Sequence, residues 1–143
     1  MSVDDGLRPI FREHLLGFHW QSIETGGTGS GVPDSNYCSR GFEGWIEYKA
    51  TDGWAVTLEP AQIGWICARV RHGGRVWIGV RRRSEAGPRK GAAVDELWFF
   101  PGALAKEAKI EGLRGLAKRP GVLRWSGGPQ RWGWSVVADR LRS

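Results

Sequence analysis

The sequence predicts an α/β (α+β) fold in which helices flank a central mixed β-sheet. Residues 18–50 hold three short aromatic and β-branched segments separated by glycine-containing turns, which is the pattern of an antiparallel meander. Residues 58–80 then combine a helical spacing of apolar residues with a short continuous apolar run, which indicates a helix followed by a buried strand. A chain of 143 residues has the size of one domain, so we predict a single domain over residues 1–143.

The first half of the chain supplies a helix and the meander. In residues 7–16 apolar side chains recur on one helical face, and Asp4 and Asp5 precede them as candidate caps. The glycine loop at 26–31 lacks a G-K-[ST] motif and leads into a strand, which excludes a nucleotide-binding loop. The strands of the meander are expected in residues 18–24, 32–39 and 42–50.

The second half predicts further helices and strands around the same sheet. Pro60 is acceptable in the first turn of a helix over residues 58–70, and residues 76–80 form the apolar run that follows this helix. A basic loop is expected at 84–93. Beyond it we predict a strand at 94–100, interrupted helical segments at 102–118 and an amphipathic helix at 132–143.

Charge and composition favour a nucleic acid as the partner. The net charge is +6, with an acidic excess in the first 62 residues and a basic excess in the rest. Such a balance supports contacts with phosphate. No apolar stretch reaches the length of a membrane span and no signal-peptide pattern opens the chain, so we expect a cytoplasmic protein without membrane association. The two cysteines, Cys38 and Cys67, are expected as reduced, half-buried thiols.

The third strand has one apolar face and one face that carries reactive groups. Residues two apart in a strand share a face, so Glu47 and Lys49 project together. Ile46 and Tyr48 then project to the opposite side. The sequence therefore predicts a carboxylate and an amine side by side on one surface of the sheet.

A second carboxylate is expected directly opposite Glu47. A turn at residues 40–41 pairs Ser39 with Phe42, and the same antiparallel register places Asp34 across from Glu47, with their Cβ atoms about 5 Å apart. Like charges in that position destabilise a sheet. A bound divalent cation would remove this repulsion.

The expected cofactor is Mg²⁺ or Mn²⁺. Hard cations bind one or two carboxylates together with water and phosphate oxygens, and Asp34 and Glu47 supply such carboxylates. Lys49 stands beside them, where an ammonium group can steady an attacking hydroxide or the charge that builds on phosphorus. The alternative is a cross-strand cluster of ion pairs on a solvated sheet face.

These residues also carry a resemblance to a known family. G-V-P-D at 31–34 followed by W-I-E-Y-K at 45–49 resembles the PD-(D/E)xK nuclease superfamily, and within it the phage-type VRR-NUC nucleases and Holliday-junction resolvases. The resemblance covers residues 7–82, and 83–143 is then a C-terminal extension of the same domain. It implies a restriction-endonuclease-like core. The site residues that it implies are the metal ligands Asp34, Glu47 and the carbonyl of Tyr48, the catalytic Lys49, and Gln62 in the helix that follows.

The superfamily usually adds an upstream acidic residue, and two candidates compete for this role. Glu13 belongs to the predicted first helix, whereas Glu24 ends the first strand of the meander. We favour Glu24 because adjacent strands would bring it beside Asp34. The alternative for Glu24 is a solvent-facing carboxylate at a strand end.

Basic and aromatic residues supply the candidate DNA surface. The basic residues expected to contact DNA are Arg69, Arg81, Arg82, Arg83 and Lys90. The alternative is that these residues are a run of charged side chains that contact only solvent. Among nine tryptophans, Trp45, Trp65 and Trp77 are expected in the core. Trp132 and Trp134 are candidates for base stacking or a dimer contact, with core packing as the default.

Together these features predict a divalent-metal-dependent DNA endonuclease that acts on branched DNA, as a Holliday-junction resolvase does. The alternatives are a general or restriction-like DNA nuclease and a non-catalytic DNA-binding module on the same fold. Two symmetric cuts in a junction need two active sites, so we expect a homodimer with its interface after residue 94. A phage-encoded enzyme of this kind would act in the cytoplasm of the host cell.

Overall fold

A six-stranded mixed β-sheet forms the centre of the computed structural model, which describes residues 4–24, 31–89 and 91–143. The strands lie across the sheet in the order in which they follow along the chain. Neighbouring strands are antiparallel except for the third and fourth, which are parallel. This confirms the predicted α/β fold with a mixed sheet. The strands are β1 (His19–Ser22), β2 (Ser35–Ser39), β3 (Phe42–Thr51), β4 (Val76–Ser84), β5 (Val94–Pro101) and β6 (Leu123–Trp125).

Helices cover both faces of the sheet. The helices are α1 (Leu7–His14), α2 (Pro60–Arg71), α3 (Ala105–Leu116) and α4 (Trp134–Leu141), with 3-10 turns at Gly102–Leu104 and Pro129–Arg131. One core cluster joins α2 and α3 to the sheet through Ile66 and Leu113. A second core cluster on the other face joins α1 and α4 through Phe11 and Val137. The sheet is thus the middle layer of three.

The hairpin between β2 and β3 has the predicted register. Arg40 and Gly41 both take positive φ values, 52° and 84°, as a two-residue hairpin turn requires. Ser39 pairs with Phe42, and the ladder continues to the pair of Ser35 and Ile46. The next step of this ladder is the position of Asp34 opposite Glu47.

Two local features differ from the sequence predictions, and the interruption predicted within 102–118 is confirmed at Gly112. Strand β6 was not expected, because three residues carry too little periodicity to indicate a strand. Asp5 does not cap α1 and lies instead within 3.8 Å of Arg81, whereas Asp4 Oδ1 accepts the N–H of Gly6 before the helix. Helix α3 is kinked at Gly112, whose φ of 67° lets the N–H of the next residue bond the carbonyl of Trp54.

The tryptophans mainly complete the two cores. Trp132 is only 3% exposed and belongs to the second cluster, and Trp134 packs against this cluster with its ring 5.1 Å from that of Phe11. Core packing therefore explains both residues. Cys38 and Cys67 are free thiols, of which Cys38 is exposed and not half-buried as expected. Among the described residues, no helix is both long and apolar enough to cross a bilayer.

Candidate active site

Strand β3 carries the two faces that its sequence predicts. Ile46 and Tyr48 are fully buried in the cluster beneath α1 and α4. Glu47 and Lys49 project to the other face, towards α2, and are only 2% and 8% exposed. Two ionisable groups are thus held in the interior of the protein, where an unpaired charge is costly. The solvated ion-pair cluster considered above does not describe this pair.

Asp34 reaches the same strand from the end of β2. It precedes β2 by one residue, and its Oδ2 accepts the backbone N–H of Tyr48 at 2.9 Å. The N–H and C=O of one residue in a strand point to the same neighbour. Because β2 has ended at this level, the carbonyl of Tyr48 points to the same edge as the Asp34 carboxylate.

Gln62 fixes the opposite side of the site. As the third residue of α2 it belongs to a capping box with Glu59, whose N–H donates to Gln62 Oε1 at 2.9 Å. The same oxygen accepts a hydrogen bond from Lys49 Nζ at 3.0 Å, and Gln62 Nε2 donates to Glu47 Oε2 at 3.1 Å. Lys49 Nζ also lies 3.4 Å from Glu47 Oε2. The amide thus sets the positions of the amine and the carboxylate together.

Burial raises the pKa of both carboxyl groups, and repulsion by Asp34 adds to the shift of Glu47. Burial raises the pKa of Glu47 to about 8, the negative charge of Asp34 raises this pKa further, and Lys49 partly opposes the shift. Burial also raises the pKa of Asp34, against the hydrogen bond from Tyr48 and the positive charges of Arg8 and Lys49. The pair therefore resists holding two negative charges unless a cation joins it.

The donor set fits a small hard cation. Glu47 Oε1 is buried and has no hydrogen-bond partner among the described residues, beside a second carboxylate. Asp34, Glu47 and the Tyr48 carbonyl supply only oxygen atoms, which suits Mg²⁺ or Mn²⁺ with water completing the shell. Within the described ranges, no cluster of three or more His, Cys, Asp or Glu side chains could hold a metal ion. Any cation here would depend on two carboxylates and a carbonyl.

The upstream acidic candidates do not join this cluster in the structure. Ile23, the residue before Glu24, donates its backbone N–H to the carbonyl of Asp34. The backbone of Glu24 therefore lies near the site, as expected. Its side chain is exposed, however, and so is that of Glu13. The side chain that faces Asp34 is Arg8, whose Nη2 lies 3.8 Å from Asp34 Oδ1. Sequence reasoning missed Arg8, although its place four residues before Arg12 is visible in the sequence.

Most of the predicted basic surface is engaged within the protein. Arg81 is buried and donates two hydrogen bonds to Asp95, so its guanidinium is occupied by a carboxylate. Arg82 bonds Glu96 and the carbonyl of Gly53 and lies over the Trp54 ring, and Arg69 stacks on Trp65. Arg83 has a half-exposed side chain that lies 3.7 Å from Asp5. Lys90 lies outside the described residues, as do residues 25–30, which include most of the glycine loop.

The protein was compared with protein-family models, with curated proteins and with solved structures. None of the three comparisons found a match. Function is therefore inferred from the geometry and electrostatics of the site.

Gly31 sets the distance between the Asp34 turn and α2. It has a φ of 91°, and a Cβ at this position would overlap the carbonyl of Ala61 in the first turn of the helix. We expect Gly31→Ala to lower the free energy of unfolding by about 1–3 kcal/mol more than Gly41→Ala. The control is matched because Gly41 has a φ of 84° and no neighbour within 4 Å of an added Cβ. Urea denaturation of both variants measures the difference, and equal losses would show that the close approach to α2 is unimportant.

The raised pKa of Glu47 predicts a specific dependence of stability on pH. A folded pKa of about 8 against an ordinary value of 4.5 means that the folded state binds more protons between these values, so this group costs stability as pH rises through that window. In the presence of a chelator, Glu47→Gln should remove this loss of stability. The Tm at about pH 8.5 should then rise by a few degrees, which corresponds to a gain of about 1–2 kcal/mol in the free energy of unfolding.

The matched control for this prediction is Glu43→Gln, which changes an exposed carboxylate on the same strand. Thermal unfolding at about pH 5 and about pH 8.5 compares the three proteins. If the Glu47→Gln variant lost stability between these two values in parallel with the unmodified protein, Glu47 would not be the group that titrates.

Proposed function

We propose that this protein is a divalent-metal-dependent endonuclease that hydrolyses phosphodiester bonds in DNA. The observation that carries the proposal is the pair of adjacent carboxylates of Asp34 and the buried Glu47, with the unpartnered Glu47 Oε1 and the fixed amine of Lys49 beside them. Two adjacent carboxylates are costly to a fold that makes no use of them, because like charges repel each other and burial disfavours the charged form. Retention of both, next to an amine, favours a chemical role.

Each residue of the site has a part in the proposed reaction. Asp34, Glu47 and the carbonyl of Tyr48 would hold Mg²⁺ or Mn²⁺. When bound, such a cation polarises a phosphate and makes water more acidic. Lys49 presents an ammonium group to the charge that develops on the phosphate during attack. Gln62 holds this amine through its Oε1 and holds Glu47 through its Nε2, so both groups are oriented before substrate arrives.

The resemblance to PD-(D/E)xK nucleases supports the same proposal through the structure of its motif. Gly31 has a positive φ and approaches α2 closely, Pro33 is buried, and Asp34 bonds the backbone of β3. Gly31 and Pro33 thus help to place Asp34 beside β3, the strand that carries Glu47 and Lys49. The restriction-endonuclease-like character of the core belongs to this proposal.

The substrate proposed is branched DNA, with a homodimer as the functional unit. Arg82 and Arg83 lie near the carboxyl ends of β3 and β4, and the side chain of Arg83 is half exposed there. Two cuts in a four-way junction require two copies of the site. Among the described residues after 94, the large hydrophobic side chains exposed to solvent are those of Ile110 and Val136, so a dimer contact there would be largely polar.

Cleavage assays test the central part of this proposal. The protein should cut DNA with Mg²⁺ or Mn²⁺ and not with EDTA, and Lys49→Ala should abolish cleavage while most DNA affinity remains, because the amine acts in the transition state. Lys109→Ala is the matched control, since it removes an exposed lysine from α3. Near-normal cleavage by Lys49→Ala would exclude Lys49 from the mechanism, and DNA binding without any cleavage would leave a binding module.

The choice of substrate decides between the two nuclease proposals. Linear, flapped and four-way-junction DNA are compared, together with the mass in solution by light scattering. Preference for the junction and a mass of twice 15.9 kDa support the resolvase. A mass near 15.9 kDa with equal cutting of all substrates favours a general or restriction-like nuclease.

A further inference from the structure

Two arginines of α1 lie at the edge of the sheet where Asp34 meets β3. Arg8 and Arg12 are four residues apart, so they share one face of the helix. Arg8 Nη2 lies 3.8 Å from Asp34 Oδ1, and Arg12 Nη2 donates to Ser22 Oγ at 2.5 Å. Burial raises the pKa of Tyr48, and the positive charges of Arg12 and Arg8 partly oppose this shift, since both lie close to the same segment of β3. Two guanidinium groups therefore border the carboxylate site.

Most hydrogen-bond donors of these arginines have no protein acceptor among the described residues. The Nε atoms of both are buried and have no acceptor among the described residues. In the same ranges Arg8 makes no side-chain hydrogen bond, since its contact with Asp34 is longer than one. A guanidinium carries five N–H donors, and donors left unsatisfied on folding reduce stability. An oxyanion can bond the solvent-accessible part of the Arg8 guanidinium, whose side chain is 29% exposed.

The placement of Arg8 is unfavourable for α1 by itself, whereas Arg12 lies in the last turn, where a positive charge suits the helix dipole. Like charges four residues apart destabilise a helix. Arg8 is also the second residue of α1, and a positive charge near a helix N-terminus opposes the helix dipole. The carboxylate of Asp34 compensates weakly, because both side chains are about one third exposed and the contact is long. These costs would be offset by a bound anion.

We propose that Arg8 and Arg12 form a phosphate-binding subsite that holds a phosphate group of the DNA strand next to the carboxylate site. The identity of the ligand as DNA rests on the function proposed above. Lys49 and Gln62 approach the Asp34 edge from the α2 side of the sheet, and the two arginines approach it from α1 on the other side. Guanidinium groups suit this role because they bind phosphate oxygens with paired donors. The phosphate is either an internal diester or a terminal monoester.

The salt dependence of DNA binding tests this subsite without cleavage. Anisotropy of fluorescent DNA is measured in EDTA over a series of salt concentrations. Arg8→Ala and Arg12→Ala should each weaken binding and reduce the slope of log affinity against log salt by about 1, because each loses one phosphate contact. Arg8→Lys should restore most of the slope, since it keeps the charge. Arg119→Ala, which removes a partly exposed arginine after α3, is the control and should leave the slope unchanged.

The outcomes separate this inference from the proposed nuclease. If Arg8→Ala and Arg12→Ala remain folded by circular dichroism and keep the full slope, the subsite is wrong even when the unmodified protein cleaves DNA. If the slopes fall and the unmodified protein never cleaves, the subsite holds and the nuclease proposal fails. DNA with 5′-phosphate or 5′-hydroxyl ends distinguishes the sources: an effect confined to phosphorylated ends identifies a terminal phosphate, and an equal effect identifies an internal one.

Discussion

The burial of the Glu47 carboxylate is the constraint on which the site depends. This group lies in the face of a central strand, next to Asp34, and burial raises its pKa to about 8. Every polar neighbour acts on that one charge: Lys49 approaches it, Gln62 donates to it, and Asp34 repels it. A buried ionisable group that destabilises the fold is a candidate functional residue when it can take part in binding or catalysis. In the proposal made here, Glu47 has such a role as a ligand of the cation.

Three separate elements have to meet at β3 for this arrangement to exist. Phe11 of α1 packs edge-on against the ring of Tyr48, 5.1 Å away, and so supports the strand from one face. On the other face the capping box of α2 orients Gln62 towards Lys49. The turn at Gly31 brings Asp34 to the exposed edge. The site is therefore produced by the packing of both layers on the sheet and not by one loop.

Local periodicity explains which parts could be predicted from the sequence. The register of β2 and β3 follows from a two-residue turn and the strand period of two, and it correctly placed Asp34 near Glu47. The helix and the apolar strand after the meander follow from their spacing. Within residues 31–62 the sequence contains almost every determinant of the carboxylate pair, because the partners are joined by short connections.

Side-chain partners far apart in the chain could not be predicted in this way. Arg81 finds Asp95 through the pairing of β4 and β5, and this pairing turns an expected phosphate contact into an internal ion pair. The direction of Glu24 depends on the packing at a strand end, and the position of Arg8 beside Asp34 depends on how α1 rotates on the sheet. Neither the direction of the Glu24 side chain nor the rotation of α1 can be inferred from the local periodicity of the sequence. Charge alone therefore overestimated the free basic surface.

Calorimetric titration with Mn²⁺ at about pH 8 tests whether Asp34 and Glu47 bind a divalent cation, because it detects the cation without requiring a DNA substrate. We expect the unmodified protein to bind Mn²⁺, with this binding lost in both Asp34→Asn and Glu47→Gln and kept in Glu43→Gln, and with all variants folded by circular dichroism. No heat of binding to the unmodified protein, or equal binding to the Asp34→Asn and Glu47→Gln variants, would contradict this expectation.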